Sequence, residues 1–268
     1  SIIALDDQRK KLQLDFDTTQ AKVNAASKEI GKMMASGNAA GAEAIKQEVA
    51  GWKESLDPIK IQMAEIETSL TNQLLQLPNL PGAPVPVGKT PEDNVVVKTG
   101  GPTTTLSAGA VPHWDLAKKY NLIDFDLGNK ITGSGFPVYI GKGAKLQRAL
   151  IQYFLEFNTA AGYTEYLPPF MVNEASALGT GQLPDKEGQM YYMPADDFYM
   201  IPTAEVPVTN VYRDVIVKPE EFPIKMTAYS PCFRREAGSY GKDVRGLNRL
   251  HQFEKVEIIQ IVEPSTSY

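Results

Sequence analysis

Between Cys232 and Ile259 the chain reads CFRREAGSYGKDVRGLNRLHQFEKVEII. Two arginines, Arg234 and Arg235, stand next to Glu236. After a stretch rich in Gly, Lys and Arg come Arg249, Leu250, Phe253, Lys255 and Glu257. Read as two strands, 230–236 and 250–261, around a loop 237–249, the stretch is a hairpin. Side chains alternate along a strand, so Arg234 shares a face with Glu236, and Phe253 shares one with Lys255 and Glu257. If the two faces coincide, one floor carries a guanidinium, an aromatic plate and carboxylates. A guanidinium fork suits phosphate or carboxylate, an exposed ring can stack under a base, and carboxylates can accept from an exocyclic amine or hold an ammonium. Such a floor would seat a nucleotide beside an amino acid. The same residues also fit a surface hairpin laced with cross-strand ion pairs, and composition alone names no reaction.

The elements that would hold this floor can be read outward from it. KMTAYSPCFRRE and HQFEKVEIIQIVE read as strands, as does VIVKP at 215–219. GAKLQRALIQYFLEFNTAAG, residues 143–162, places Leu146, Leu150, Ile151, Phe154 and Leu155 on one helical stripe, with Gly162 as its stop. YTEYLPPFMV reads as a strand interrupted by Pro168 and Pro169. GSGFPVYIGKG, 133–143, lacks the GK[ST] of a phosphate loop and reads as turns around a short strand.

The first third is different. Ile2, Arg9, Phe16, Val23 and Ile30 step by seven, as do Leu5, Leu12, Thr19, Ala26 and Met33. After ASGNAAG, 35–41, the pattern returns in Ile45, Trp52, Ile59 and Ile66, with Val49, Leu56, Met63, Leu70 and Leu77. The spacing predicts two helices folded back as an antiparallel pair, each about 50 Å long at ~1.5 Å per residue. Pro58 should interrupt one backbone bond of the second. LPNLPGAPVPVGKTPEDN, 77–94, ends the pattern. The expected organisation is an arm over 1–78, a linker over 79–105 and an α+β domain over 106–268.

Composition sets limits. The 268 residues carry a net charge of −5, so any basic surface is local rather than global. Cys232 is the one cysteine, which suits a reducing compartment, and its apolar strand setting marks it as a packed residue rather than a nucleophile. His113 and His251 lie far apart in sequence, and no zinc-ligand spacing exists. Trp52 falls on the arm seam, and Trp114 reads as core or interface. No 18-residue apolar run is present.

FRREAGSYGKDVRGLNRLHQFEKVE resembles motif 2 of class II aminoacyl-tRNA synthetases, in the form found in seryl-tRNA synthetases. IPTAEVPVTN resembles that family's TxE segment, ALGTGQLPDKEGQMYY its GTGQLP stretch, and GYTEYLPPF its motif 1. LPNLPGAPVPVGK resembles its linker and NAASKEIG its arm. The matches run in order along nearly the whole chain. The resemblance implies an α+β fold: a two-helix antiparallel coiled-coil arm, then part of a mixed and antiparallel catalytic sheet with flanking helices.

It also implies ATP-dependent activation of L-serine to seryl-adenylate and transfer to the 3′ end of serine tRNA. Arg234 would bridge the α-phosphate and the serine carboxylate. Arg235, Glu236, Leu250 and Phe253 would hold ATP, Glu236 at the adenine amino group and Phe253 as the stacking plate. Thr203, Ala204, Glu205, Glu257 and Arg249 would form the serine site. Mg2+ would accompany the phosphates, with no metal-binding residue assigned. The implied partners are L-serine, ATP and serine tRNA on the arm through residues such as Lys22, Lys28 and Lys32. Selenocysteine tRNA is a second candidate, and a cytoplasmic homodimer without membrane contact is expected, with motif 1 residues such as Pro168 at its interface. The sequence departs from the family where motif 3 would follow, so the expectation is a truncated chain that makes no seryl-adenylate by itself. Two alternatives stay open: an amino acid:carrier-protein ligase of the same class, and a non-catalytic tRNA-binding coiled-coil protein.

Overall fold

The computed structural model describes residues 1–236 and 245–267. The chain divides into two units, Ser1–Thr99 and Gly100–Tyr268.

The first unit is a helical pair, α1 (Ile2–Ala35) and α2 (Ala39–Leu74). Val23, Val49 and Leu56 are buried between them, flanked by Phe16, Ala26, Ile30, Ile45 and Trp52. All eight are seam positions of the heptads. The connection is shorter than the small residues of 35–41 suggest. Asn38 caps α2, its side chain accepting from Gly41 N at 3.0 Å, so Ala39, Ala40 and Gly41 join the helix. Pro58 lies inside α2, which continues on both sides of it. Leu77 is past the end of α2 and 56% exposed, so it takes no part in the seam. The segment beyond holds one turn of 3-10 helix, Pro91–Asp93.

The second unit contains three small sheets among its described residues. β1 (Ile123–Asp124) pairs antiparallel with β2 (Val138–Tyr139). β3 (Thr164–Tyr166) runs parallel to β7 (Ile224–Phe233), which pairs antiparallel along ten residues with β8 (Gln252–Ile261). β4 (Met171–Val172), β6 (Phe198–Met200) and β5 (Tyr191–Met193) form the third, antiparallel sheet. Pro168 and Pro169 fall in the gap between β3 and β4, as the loss of their N–H donors requires.

The helices are α3 (His113–Lys119), α4 (Phe125–Ile131), α5 (Lys142–Ala160), α6 (Glu174–Gly179) and α7 (Glu205–Asn210). Gly162, with φ +88°, carries the chain out of α5, and no Cβ is present to oppose that conformation. The VIVKP segment is not a strand. Residues 215–218 form no regular element, Pro219 opens a 3-10 turn, and Ile216 is 97% exposed. With no sheet edge to join, β-branched residues alone do not make a strand.

Two cores grip α7. Val208 and Ala204 pack with Met226 and Ala228 of β7, and Val206 packs with Val172 and Ile201. The TxE segment is thereby fixed between the β3–β7–β8 sheet and the β4–β6–β5 sheet. Asn158 of α5 donates to Thr227 Oγ1 at 2.9 Å, and Thr227 donates to the Glu257 carbonyl at 2.9 Å, which pins the middle of β8 to the helix beneath.

Candidate active site

The strands of the hairpin stop short of their expected ends beside the turn, while β7 begins earlier, at Ile224. β7 ends at Phe233 and β8 begins at Gln252. Arg234 still bonds to the residue facing it across the hairpin, and the chain leaves the ladder at Arg235, whose N–H finds a partner on another segment. Arg234 N donates to His251 O and Arg235 N to Gln189 O, both at 2.9 Å. Glu236 has φ +48°. The predicted loop lies partly outside the described residues, which resume at Arg245.

The register shows how the floor is made. Phe253 sits opposite Cys232, Lys255 opposite Ser230, and Glu257 opposite Ala228. Facing pairs in an antiparallel ladder share a side. Each large functional residue on β8 therefore faces a small, fully buried one on β7. Beside these pairs opens a cavity of about 700 Å³, lined by Phe253 and Lys255 but not by Glu257 or by the buried Ala228, Ser230 and Cys232. Thr203, Glu205, Arg234, Glu236, Arg249, Leu250, Phe253 and Lys255 are among its lining residues.

Two ends can be distinguished. At one, the Arg234 guanidinium lies 5.1 Å from the centre of the Phe253 ring, and its Nε donates to Pro202 O at 3.4 Å. Glu236 Oε2 accepts from Arg249 Nη1 at 2.9 Å. This end offers a planar cation, a ring and a carboxylate. At the other, Thr203 Oγ1 donates to Glu257 Oε2 and accepts from Lys255 Nζ at 2.7 Å. Lys255 Nζ also pairs with Glu257 Oε2 at 2.9 Å, and Glu205 N points at Thr203 Oγ1 and Glu257 Oε2 at 3.2 and 3.3 Å. That end is a compact polar knot already arranged around one ammonium.

The other predicted residues fall as follows. Ala204 is fully buried and packs in the core behind Thr203. Leu250 is buried and lines the cavity through its side chain. Arg235 turns aside, its guanidinium 5.8 Å from the Tyr191 ring centre, and is not among the cavity's lining residues. Gln182, Gln189 and Lys255 line the cavity without having been assigned a role. Gln182 and Gln189 belong to the GTGQLP stretch, which resemblance had flagged without a function. Lys255 was visible from alternation, since it lies on the face of Phe253 and Glu257.

Both histidines brace the site. His251 stacks on Phe136 with ring centroids 5.3 Å apart, and its Nδ1 lies 3.0 Å from both Tyr191 Oη and Arg234 O. His113 Nε2 accepts from Leu247 N at 2.8 Å. Cys232 is buried and burial pushes its thiol pKa up, the opposite of what a nucleophilic cysteine needs.

The site thus brings together an arginine above an aromatic ring, carboxylates and the TxE segment, the set that the resemblance to class II aminoacyl-tRNA synthetases implies. Residues 192–268 match the family described as the tRNA synthetase class II core domain (G, H, P, S and T). Residues 1–81 match the seryl-tRNA synthetase N-terminal domain. The serine--tRNA ligase of Salinibacter ruber is 47% identical over all of this chain, and that of Cyanothece sp. is 45% identical over 99% of it. The chain spans 63% of the length of each. The crystal structure of seryl-tRNA synthetase from Pyrococcus horikoshii complexed with ATP superposes with a TM-score of 0.82 at 28% identity, covering 96% of this chain and 62% of that one. The chain belongs to the seryl-tRNA synthetase family.

Proposed function

We propose that the protein activates L-serine with ATP and transfers the seryl group to the 3′ end of serine tRNA. The observation that carries this reading is the division of one cavity into two chemically different ends, joined by Arg234. The ring and carboxylate end suits a nucleotide, with Phe253 under the base, the Leu250 backbone beside it, and Glu236 accepting from the adenine amino group. The Thr203–Glu205–Glu257 end suits an ammonium and a hydroxyl, with Ala204 behind it as packing. Arg234, over Phe253 and bonded through Nε to the carbonyl of Pro202 next to Thr203, would stand where the serine carboxylate attacks the α-phosphate. A fixed guanidinium there offsets the charge that builds during in-line displacement. Arg249, which lines the cavity, would add positive potential for the phosphates and carboxylate, with Arg235 acting from outside the lining.

Pyrophosphate leaves with the electron pair of the broken P–O bond, and no protein nucleophile is needed. Among the described residues, no three His, Cys, Asp or Glu side chains group as metal ligands. Mg2+ would accompany the phosphates of ATP. Acceptors lining the serine end would reject glycine and alanine, because a missing hydroxyl leaves buried polar atoms unpaired.

The helical pair would grip serine tRNA through local cations such as Lys22, Lys28 and Lys32, and selenocysteine tRNA is a second substrate to test. The protein would act as a cytoplasmic homodimer. Support comes from α5, whose Leu146, Leu150, Tyr153, Phe154 and Phe157 are roughly half exposed. An apolar patch of that kind seeks a partner surface. No helix among the described residues is long and apolar enough to cross a membrane.

Charging of serine tRNA by the full-length protein, with and without residues 1–78, tests the reading. Loss of tRNA charging with serine-dependent pyrophosphate exchange retained would support both roles. Equal charging by the armless protein would contradict the role given to the arm.

A further inference from the structure

We infer that Lys255 is a resident stand-in for the substrate's ammonium, and that the amino acid binds by displacing it. The inference rests on the reading of this cavity as an amino acid-activating site.

Thr203 Oγ1 has one proton and two lone pairs. All three are committed: the proton to Glu257 Oε2, the lone pairs to Lys255 Nζ at 2.7 Å and Glu205 N at 3.2 Å. Glu257 Oε2 also receives Lys255 Nζ at 2.9 Å. One ammonium therefore already occupies the acceptors that an α-ammonium would use. A second cation on the same Thr203 Oγ1 and Glu257 Oε2 would meet Lys255 Nζ at contact distance, where two like charges repel. Either the substrate finds other acceptors or Lys255 withdraws.

The structure favours withdrawal. Lys255 stands on a flexible four-carbon stem, and its side chain keeps 29% of its surface accessible. It faces Ser230, which is small, and shares a strand face with Phe253, over which Arg234 lies. The cavity continues in that direction. An incoming carboxylate and α-phosphate would bring negative charge to that side. In the empty site Lys255 balances Glu257; in the loaded site the substrate balances Glu257 and Lys255 is released toward the carboxylate and phosphate. Lys255 is thus a positioning residue. It holds the Thr203 hydroxyl proton on Glu257 until substrate arrives, and its departure couples filling of the ammonium site to a second cation beside Arg234.

The test uses ethanolamine, which has the ammonium and hydroxyl of serine but no carboxylate to receive a displaced lysine. Its inhibition constant against serine is read in pyrophosphate exchange, and its affinity is read by calorimetry, on the full-length protein. Lys255→Met removes the occupant, so ethanolamine should bind at least about threefold more tightly, because the fraction of empty sites no longer limits apparent affinity. Lys255→Arg keeps a cation there and should not tighten binding. Unchanged or weaker ethanolamine binding in Lys255→Met would overturn the inference, since a purely structural lysine would loosen the site when removed. A second measurement needs no variant: a wild-type structure with serine bound should show the substrate nitrogen on Thr203 and Glu257 and Lys255 Nζ out of contact with both. Retention of both lysine contacts beside bound serine would equally overturn it. Absence of serine-dependent exchange in the wild type would instead remove the functional reading on which the inference stands.

Discussion

Arg234 has to meet two demands at once: it must be charged toward the cavity and held still. Its backbone N–H is bound to His251 O, its Nε to Pro202 O, and its guanidinium rests over Phe253. Arg234→Ala should lower serine-dependent pyrophosphate exchange by about 10²–10³-fold, the usual cost of a lost transition-state donor. Arg234→Lys should recover little of it, because a point charge cannot reproduce a planar fork. Steady-state kinetics on both variants checks this, and substantial recovery by lysine would show that charge alone suffices. Phe253→Ala should raise the KM for ATP with little effect on that for serine. Loss of base stacking costs about 1–3 kcal/mol, or roughly 5- to 150-fold in affinity. Residue identity at this scale was well announced by the sequence, because strand alternation places Phe253, Lys255 and Glu257 together without tertiary information. Alternation could not show that Arg235 would turn to Tyr191, nor that Lys255 would occupy the ammonium site. Both depend on contacts across some fifty residues of sequence, to Tyr191 and Thr203.

At the scale of elements, the hairpin works because its two faces do different jobs. On the face it shares with Phe253, Lys255 and Glu257, β7 presents the small, fully buried Ala228, Ser230 and Cys232. On the other face Tyr229 meets Glu254. Burial, and then the hydrogen bond and charge of Glu254, push the Tyr229 phenol well above its ordinary value of 10.0. The fold thus favours the neutral phenol. Its contribution to stability is intact below about pH 10 and is lost as the pH rises beyond that, through the raised native value. Absorbance of tyrosinate at high pH should show late-ionising phenols, Tyr229 among them, and Tyr229→Phe should reduce that late signal by one phenol. Early, reversible titration of all tyrosines would contradict the assignment. Helix pairing in the arm was legible from heptads, since Val23, Val49 and Leu56, which form its buried core cluster, are seam positions. Strand assignment from composition failed at VIVKP, where β-branched residues find no neighbouring strand and Pro219 starts a turn.

For the whole molecule, the exposed stripe on α5 is the feature with the largest consequence. Leu146, Leu150 and Phe154 border an apolar cavity of about 400 Å³ that also reaches Phe253 and Lys255 from behind the site. If that face meets a second copy, assembly would stiffen the floor of the active site. Phe154→Glu should therefore shift sedimentation from dimer to monomer and lower exchange activity together. A dimer that survives the substitution would place the interface elsewhere. The apolar period of this helix was plain in the sequence, but period alone cannot distinguish a core-facing stripe from one left for a partner.

The most direct test of the central claim is pyrophosphate exchange by the full-length protein with serine, alanine, glycine and threonine supplied in turn. The account predicts exchange with serine and only trace exchange with the other three, because the Thr203–Glu205–Glu257 end is built around an ammonium and a hydroxyl in a small space. Exchange with none of them, or faster exchange with alanine or glycine than with serine, would contradict it.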